Sequence, residues 1–250
     1  MAYRIHALSN GRCKVAGNHA FHGGDPNEAL PFQLFVWLIE GADKPILVDA
    51  GLSHVDEMNR DAAHVIAEPI TQAPDETATA QLSKHGINPE DVGHVIVTHL
   101  HFDHVDDLAN YTNATYVISG RGLEAALRAR AETPPGWAPW KTLDLMEGPA
   151  RERTLAVDDA EIVPGIRTMW FGGHTRCSQG IAVETRDGVA VLGGDTICRY
   201  EHFEQRRAMG LAESVEECLA AVDRAREVAD IILPGHDPRV LERHPGGVIG

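Results

Sequence analysis

The sequence predicts an α/β protein in which two sheets pack face to face with helices outside, an αββα sandwich read as one domain over residues 1–250. Two observations carry that expectation. Short apolar extended segments bounded by turn residues dominate the chain, and a run of strands followed by a helix occurs twice. The composition, 43% hydrophobic and 24% charged, suffices for a full core, and no repeat or low-complexity linker divides it.

The elements follow in order. Ile5 to Val15, FQLFVWLIE (32–40) and PILVDAG (45–51) read as extended, and the turn-like EGADK joins the last two as a hairpin. Thr77 to His85 reads as a helix stopped by Gly86. HVIVTH (94–99) and ATYVIS (114–119) are the next strands, followed by a helix over Gly122 to Ala131. ETPPGWAPWK (132–141) interrupts regular structure. In the second half AEIVPGIRTMWF (160–171), QGIAVET (179–185) and VAVLGGD (189–195) read as strands, the last two joined by an Asp187-Gly188 turn. Ser214 with Glu217 forms a capping box for a helix running to about Ala229, and DIILPGHD (230–237) adds one more buried strand.

The net charge of -15 argues against a nucleic-acid partner, since no Lys/Arg stripe exists to release phosphate counterions. MAYRIHALSNGRCKV lacks the apolar core of a signal peptide, and no apolar run approaches the ~20 residues of a membrane span. Cys13, Cys177, Cys198 and Cys218 include no CxxC pair and read as reduced thiols in a cytoplasm. The expectation is a cytoplasmic protein acting on a small molecule, with no nucleic-acid or membrane partner; a homodimer is left open.

VIVTHLHFDHVDD (95–107) carries the chemistry. A buried strand runs directly into His99, His101, Asp103 and His104, a density of imidazole and carboxylate that suits a metal better than a packed core. His99 and His101 project to one side of an extended segment. Asp103 and His104 follow where the chain turns, aimed at a second point nearby. Three further strands end in small residues and one potential ligand each: His174 in FGGHT, Asp195 in VLGGDT and His236 in ILPGHDP. Glycine at such ends lets backbones approach closely, so a sandwich can gather these ligands on one edge.

HxHxDH followed by a later His, Asp and His resembles the metallo-β-lactamase superfamily, and the likeness covers nearly the whole chain, including Asp49 in LVDAG. Within it, GRC near the start, PILVDAG, THLHFDH, GHT and the final GHD are similar to the N-acyl-homoserine lactonase group. The resemblance implies two divalent metals, zinc first, with manganese, iron or cobalt also compatible with the ligand set. One metal would take His99, His101 and His174, the other Asp103, His104 and His236, with Asp195 bridging. A hydroxide between them would be the nucleophile opening a small lactone or related cyclic ester or amide. Asp49 and Thr98 would orient the imidazoles, and Asp103 would carry a proton to the leaving oxygen.

The chain departs from the lactonases in two places. Cys198 stands where they have a tyrosine three positions after the bridging aspartate, with Tyr200 two residues further on as a possible substitute. HTRCS replaces their HTPGH, so Arg176 is either a solvated loop charge or a bidentate partner for a substrate carboxylate. Together these suggest a poor acyl-homoserine lactonase with an anionic ring substrate. His19 and His22 lie in a loop that either leans over the site or faces solvent. Phe21, Trp137 and Trp140 either wall an apolar pocket or pack their own loops. His6, His54, His64, His85, His94, His202 and His244 have no partner motif and read as structural or exposed.

The rival readings are thioester hydrolysis, phosphodiester cleavage, a diiron flavoprotein and a non-catalytic metal-binding protein. Glyoxalase II enzymes add a glutathione-binding region, and only 14 residues follow His236. RNase Z enzymes need a basic surface. The flavoproteins have glutamate at the position of His101 and a fused flavin domain. The complete ligand set opposes a worn-out site.

Overall fold

The computed structural model describes residues 2–130, 132 and 139–250. Among them, one sheet holds β1 (Arg4–Ala16), β2 (Ala29–Glu40), β3 (Ile46–Val48), β4 (Ile66–Thr71), β5 (His94–Ile96), β6 (Thr115–Ile118), β7 (Thr154–Ala156) and β13 (Val248–Ile249). Its order is β13-β1-β2-β3-β5-β6-β7, with β4 also paired to β1. The second sheet, ordered β12-β11-β10-β9-β8, holds β8 (Glu161–Val163), β9 (Ile166–Trp170), β10 (Gln179–Thr185), β11 (Gly188–Leu192) and β12 (Ile231–Leu233). The helices are α1 (Gly17–Ala20), α2 (Val55–Asp61), α3 (Ala78–Lys84), α4 (Phe102–Val105), α5 (Gly120–Ala129), α6 (Trp140–Glu147), α7 (Tyr200–Gln205), α8 (Val215–Val228) and α9 (Arg239–Arg243).

Strand alternation sorts neighbouring side chains into two cores. Phe35, Trp37 and Ile39 of β2, Ile46 and Val48 of β3 and Ile96 of β5 face the second sheet, where they meet Ile181, Val183 and Val191. Val36, Leu38, Leu47 and Val95 face the other way, against Leu82 of α3 and Leu143 and Met146 of α6. These strands are buried on both faces, hence their continuous apolar runs. Val222 and Ala225 of α8 pack against the second sheet, completing the αββα order expected from the sequence.

Strand ends shift by a few residues and the helix expected over Gly122 to Ala131 is Gly120–Ala129; four further differences bear on the site. AEIVPGIRTMWF is a hairpin, β8 to β9, because Pro164-Gly165 turns the chain and Val163 pairs with Ile166. Regular structure resumes at Trp140, inside the stretch expected to lack it; Trp137 lies outside the described residues. Ser214 Oγ accepts the Glu217 N–H at 3.2 Å as expected. Glu217 does not return to Ser214: its carboxylate accepts from the Gly173 N–H at 3.1 Å and from Arg176 at 3.0 Å. Finally α2 and β4, which had no expectation attached, fold residues 55–71 against β1.

The order of β3, β5 and β6 is parallel, and so is that of β11 and β12. Parallel strands put their C-terminal ends on one edge, and those ends carry the histidines and aspartates. Tight contact between layers fixes this edge. A Cβ on Gly122 of α5 would lie 2.0 Å from Cys177 Cβ and 2.1 Å from its Cα. Gly122→Ala is therefore expected to lower stability by about 1–3 kcal/mol through overpacking, outweighing alanine's helix propensity. Thermal unfolding checks this, and an unchanged or raised Tm would contradict it.

Candidate metal centre

Five strand ends supply the site. Asp49 follows β3; Thr98, His99 and His101 follow β5, and α4 turns back at once with Asp103 and His104. His174 follows β9, Asp195 follows β11 and His236 follows β12. A Cβ on Gly235 would sit 2.5 Å from the Gly194 carbonyl oxygen, so only glycine lets the Asp195 and His236 loops meet this closely.

The structure brings all seven ligand candidates together as two groups. His99, His101, His174 and Asp195 form one, and Asp103, His104 and His236 the other; within each group the donor atoms lie within 4.8 Å of one another. Asp195 divides between them. Its Oδ2 lies 3.7 Å from His99 Nε2 and 3.5 Å from His174 Nε2. Its Oδ1 lies 3.2 Å from His104 Nε2 and 2.8 Å from His236 Nε2. Asp103 Oδ2 completes the second group, 3.4 Å from His104 Nε2 and 3.7 Å from His236 Nε2.

The other ring nitrogens are engaged outward. His104 Nδ1 donates to Asp49 Oδ2 at 2.7 Å, His236 Nδ1 to the Gln33 carbonyl at 3.0 Å, and His174 Nδ1 to the Leu211 carbonyl. His99 Nδ1 lies 3.1 Å from Thr98 Oγ1, whose hydroxyl donates to Asp49 Oδ2 at 2.9 Å. Asp49 Oδ1 also accepts the Thr98 N–H at 2.7 Å. An imidazole fixed at Nδ1 presents an Nε2 lone pair. Nε2 of His99 and of His104 is buried without a hydrogen bond. Buried imidazole lone pairs facing carboxylates are a donor set that fits Zn²⁺-type cations.

The electrostatics agree. Burial, reinforced by His104, holds His99 well below the usual imidazole range, and burial with His174 pushes His101 down to about 3. Burial also lowers His174, against the pull of Asp195. At His104 and His236 burial acts the same way, but Asp103 and Asp49 around the first and Asp195 beside the second reverse it, and both rise. Asp195 resists burial and stays well below the usual carboxylate range because His236 and His104 face it. The site therefore combines three imidazoles held toward the neutral form, His99, His101 and His174, with two, His104 and His236, that the carboxylates draw toward the cationic form, and a local demand for positive charge.

A pocket open to solvent lies over this floor, lined there by His101, Asp103, His174, Asp195 and His236. Its walls are apolar: Phe32 and Leu34 of β2, Met58 of α2, Ile66 and Ile70 of β4, and Met209. None of these was flagged by a sequence pattern. Asp61 and His64 are also in the lining, whereas among the described lining residues there is no lysine or arginine.

The expected substrate contacts lie elsewhere. Arg176 does not line the pocket; its half-exposed guanidinium pairs with Glu217 at 3.0 Å. Tyr200 is buried in the core, with Arg243 3.6 Å from its ring centroid, and does not reach the pocket. Phe21 packs against α7, stacked on His202 at 4.7 Å, with the Arg207 guanidinium 3.8 Å from its ring centroid. His22 is exposed outside the pocket, and Trp140 is exposed on α6. Cys198 is fully buried behind the wall, its sulfur 3.6 Å from that of Met209.

Two positioning elements escaped the sequence reading. Buried Asp106, two residues after His104, accepts from the Ser53 and His54 N–H groups at 3.0 and 2.9 Å and from Lys141 Nζ. It thereby ties the starts of α2 and α6 to α4. Burial would raise its pKa, but Lys141 and these donors lower it. His54, read as structural or exposed, pairs with the same carboxylate at 2.8 Å.

The chain matches the family model of the metallo-β-lactamase superfamily over residues 29–236. It belongs to that superfamily. It is 26% identical over 243 residues to the N-acyl homoserine lactonase AiiA of Bacillus thuringiensis subsp. kurstaki, covering 94% of this chain and 93% of that protein. A solved N-acyl homoserine lactone hydrolase, with the product N-hexanoyl-L-homoserine at its catalytic metal centre, aligns with TM-score 0.81 at 23% identity over 97% of both chains. AidC, a dizinc quorum-quenching lactonase in complex with a product, aligns with TM-score 0.69 at 14% identity over 98% of this chain and 89% of that one. The metallo-β-lactamase fold and the metal-dependent hydrolase class expected from the sequence both hold.

Two substitutions separate positioning from decoration. Asp49→Asn should weaken metal binding about 10–100-fold, the usual cost of losing an outer partner of a ligand histidine; competition with a chelator measures it, and unchanged affinity would contradict it. Arg176→Ala should leave turnover within about threefold and cost less than ~1 kcal/mol, as for an exposed ion pair. A large loss of turnover would return Arg176 to the site.

Proposed function

We propose that the protein is a dinuclear-metal hydrolase that opens a neutral lactone carrying an apolar substituent. His99, His101 and His174 hold one divalent cation, Asp103, His104 and His236 hold the other, and Asp195 serves both. The observation that carries this reading is the division of one carboxylate between two sets of donors beneath an apolar pocket. When bound, the cations supply Lewis acidity toward the ester carbonyl and lower the pKa of a shared water. Zinc fits the donors best, with manganese, iron and cobalt as alternatives.

The chain's own residues do the rest. Phe32, Leu34, Ile66 and Met209 take the substrate's apolar arm and exclude bulk water from the ester. Asp103, a lining residue beside His104 and His236, is placed to carry a proton to the departing alkoxide. Asp49 holds His104 directly and His99 through Thr98. With Arg176 paired outside and no lysine or arginine among the described lining residues, an anionic ring would find no cationic side chain there, and the pocket suits a neutral one. The likeness to proteins named N-acyl homoserine lactonases supports the lactone assignment. We place this activity in one domain, residues 1–250, and in the cytoplasm, which the four free cysteines fit.

The protein as isolated should hold close to two equivalents of transition metal, and Asp195→Ala should lose most of both metal and turnover. Full metal content and full activity in that variant would overturn the ligand assignment. Across a series of neutral lactones, kcat/KM should rise with the apolar arm by up to about fourfold per methylene buried, from ~0.8 kcal/mol each. A flat series, or preference for carboxylated lactones, would overturn the pocket assignment.

A further inference from the structure

We infer that His6, Glu40 and His85 form a separate binding site for a divalent transition-metal ion, remote from the catalytic centre. The three side chains come from three elements. Arg4 pairs with Glu40 and His6 with Leu38 across β1 and β2, so His6 and Glu40 are diagonal neighbours on one face of the sheet. His85 caps the C-terminus of α3, which lies over that face. His6 Nε2 sits 2.7 Å from Glu40 Oε2, and the two imidazole centroids are 4.7 Å apart at 69°. One donor atom from each residue falls within 4.8 Å of the other two.

Two imidazoles and a glutamate are a donor set used by zinc sites that keep a fourth position for water. The His6 side chain is 12% exposed and that of Glu40 41%, while His85 is exposed, so an ion has both an anchored donor and a way in. Among the described residues no lysine or arginine pairs with Glu40. Burial, and then the neighbouring His6, hold His85 below the usual imidazole range, which leaves it a lone-pair donor at neutral pH. A plain His6–Glu40 ion pair accounts for the 2.7 Å contact but gives His85 no part in it.

The site lies toward the other end of the sheet. Gln33, whose carbonyl holds His236, is five residues along β2 from Leu38, the partner of His6, or about 17 Å of strand. Occupancy here is therefore separable from catalysis.

Equilibrium dialysis of the holoenzyme against micromolar Zn²⁺ tests this. The wild type should bind one exchangeable equivalent beyond the metal it retains in metal-free buffer. His85→Gln and Glu40→Gln should each raise the Kd of that equivalent at least tenfold while leaving lactone turnover unchanged. Added Zn²⁺ should raise the Tm of the wild type and not of His85→Gln, since binding to the folded state alone stabilises it. The inference is overturned if the wild type shows no such equivalent, if both variants bind it as the wild type does, or if turnover disappears with it.

Discussion

Three carboxylates, Asp49, Asp103 and Asp195, converge on the rings of His99, His104, His174 and His236 at one buried edge of the sandwich. Buried anions are costly unless paired and hydrogen-bonded, so this charge balance constrains everything around it. Asp49 resolves its share with protein donors: the Thr98 N–H and hydroxyl and the His104 ring. Asp103 and Asp195 face Nε2 atoms, which are lone-pair donors unless protonated. Positive charge is drawn in between them, as protons on His104 and His236 or, in the proposed function, as two metal cations. The parallel ends of β3 and β5, and of β11 and β12, place the donors, while Gly235 allows the last two loops to touch.

The same edge is polar on its floor and apolar on its walls, and the two parts are mechanically joined. Leu211 lines the pocket with its side chain and fixes His174 with its carbonyl. Gln33 lies between Phe32 and Leu34, both wall residues, and its carbonyl fixes His236. One stretch of β2 thus supplies both pocket wall and the carbonyl that orients His236.

The clustered histidines were legible because each follows a strand and a short turn, a local pattern that survives without knowledge of the fold. Asp49 was legible only through the family resemblance, not from a local pattern. The pocket was not. One side of it comes from α2 and β4, whose sequence carries no periodic signal, and they become walls only because β4 pairs with β1. Arg176 misled for a related reason: its partner Glu217 is 41 residues away and looked committed to a capping box. Tyr200 and Phe21 were aromatic and near the motifs in sequence, yet both found neighbours in the protein interior. His6 and His85 showed nothing at all until β1, β2 and α3 were assembled.

The shared carboxylate is best examined by anomalous diffraction from crystals of the metal-loaded protein at the metal absorption edge. Two anomalous peaks should flank Asp195, one against each carboxylate oxygen, with His99, His101 and His174 around the first and Asp103, His104 and His236 around the second. A single peak, or two peaks of which only one touches Asp195, would contradict the dinuclear account.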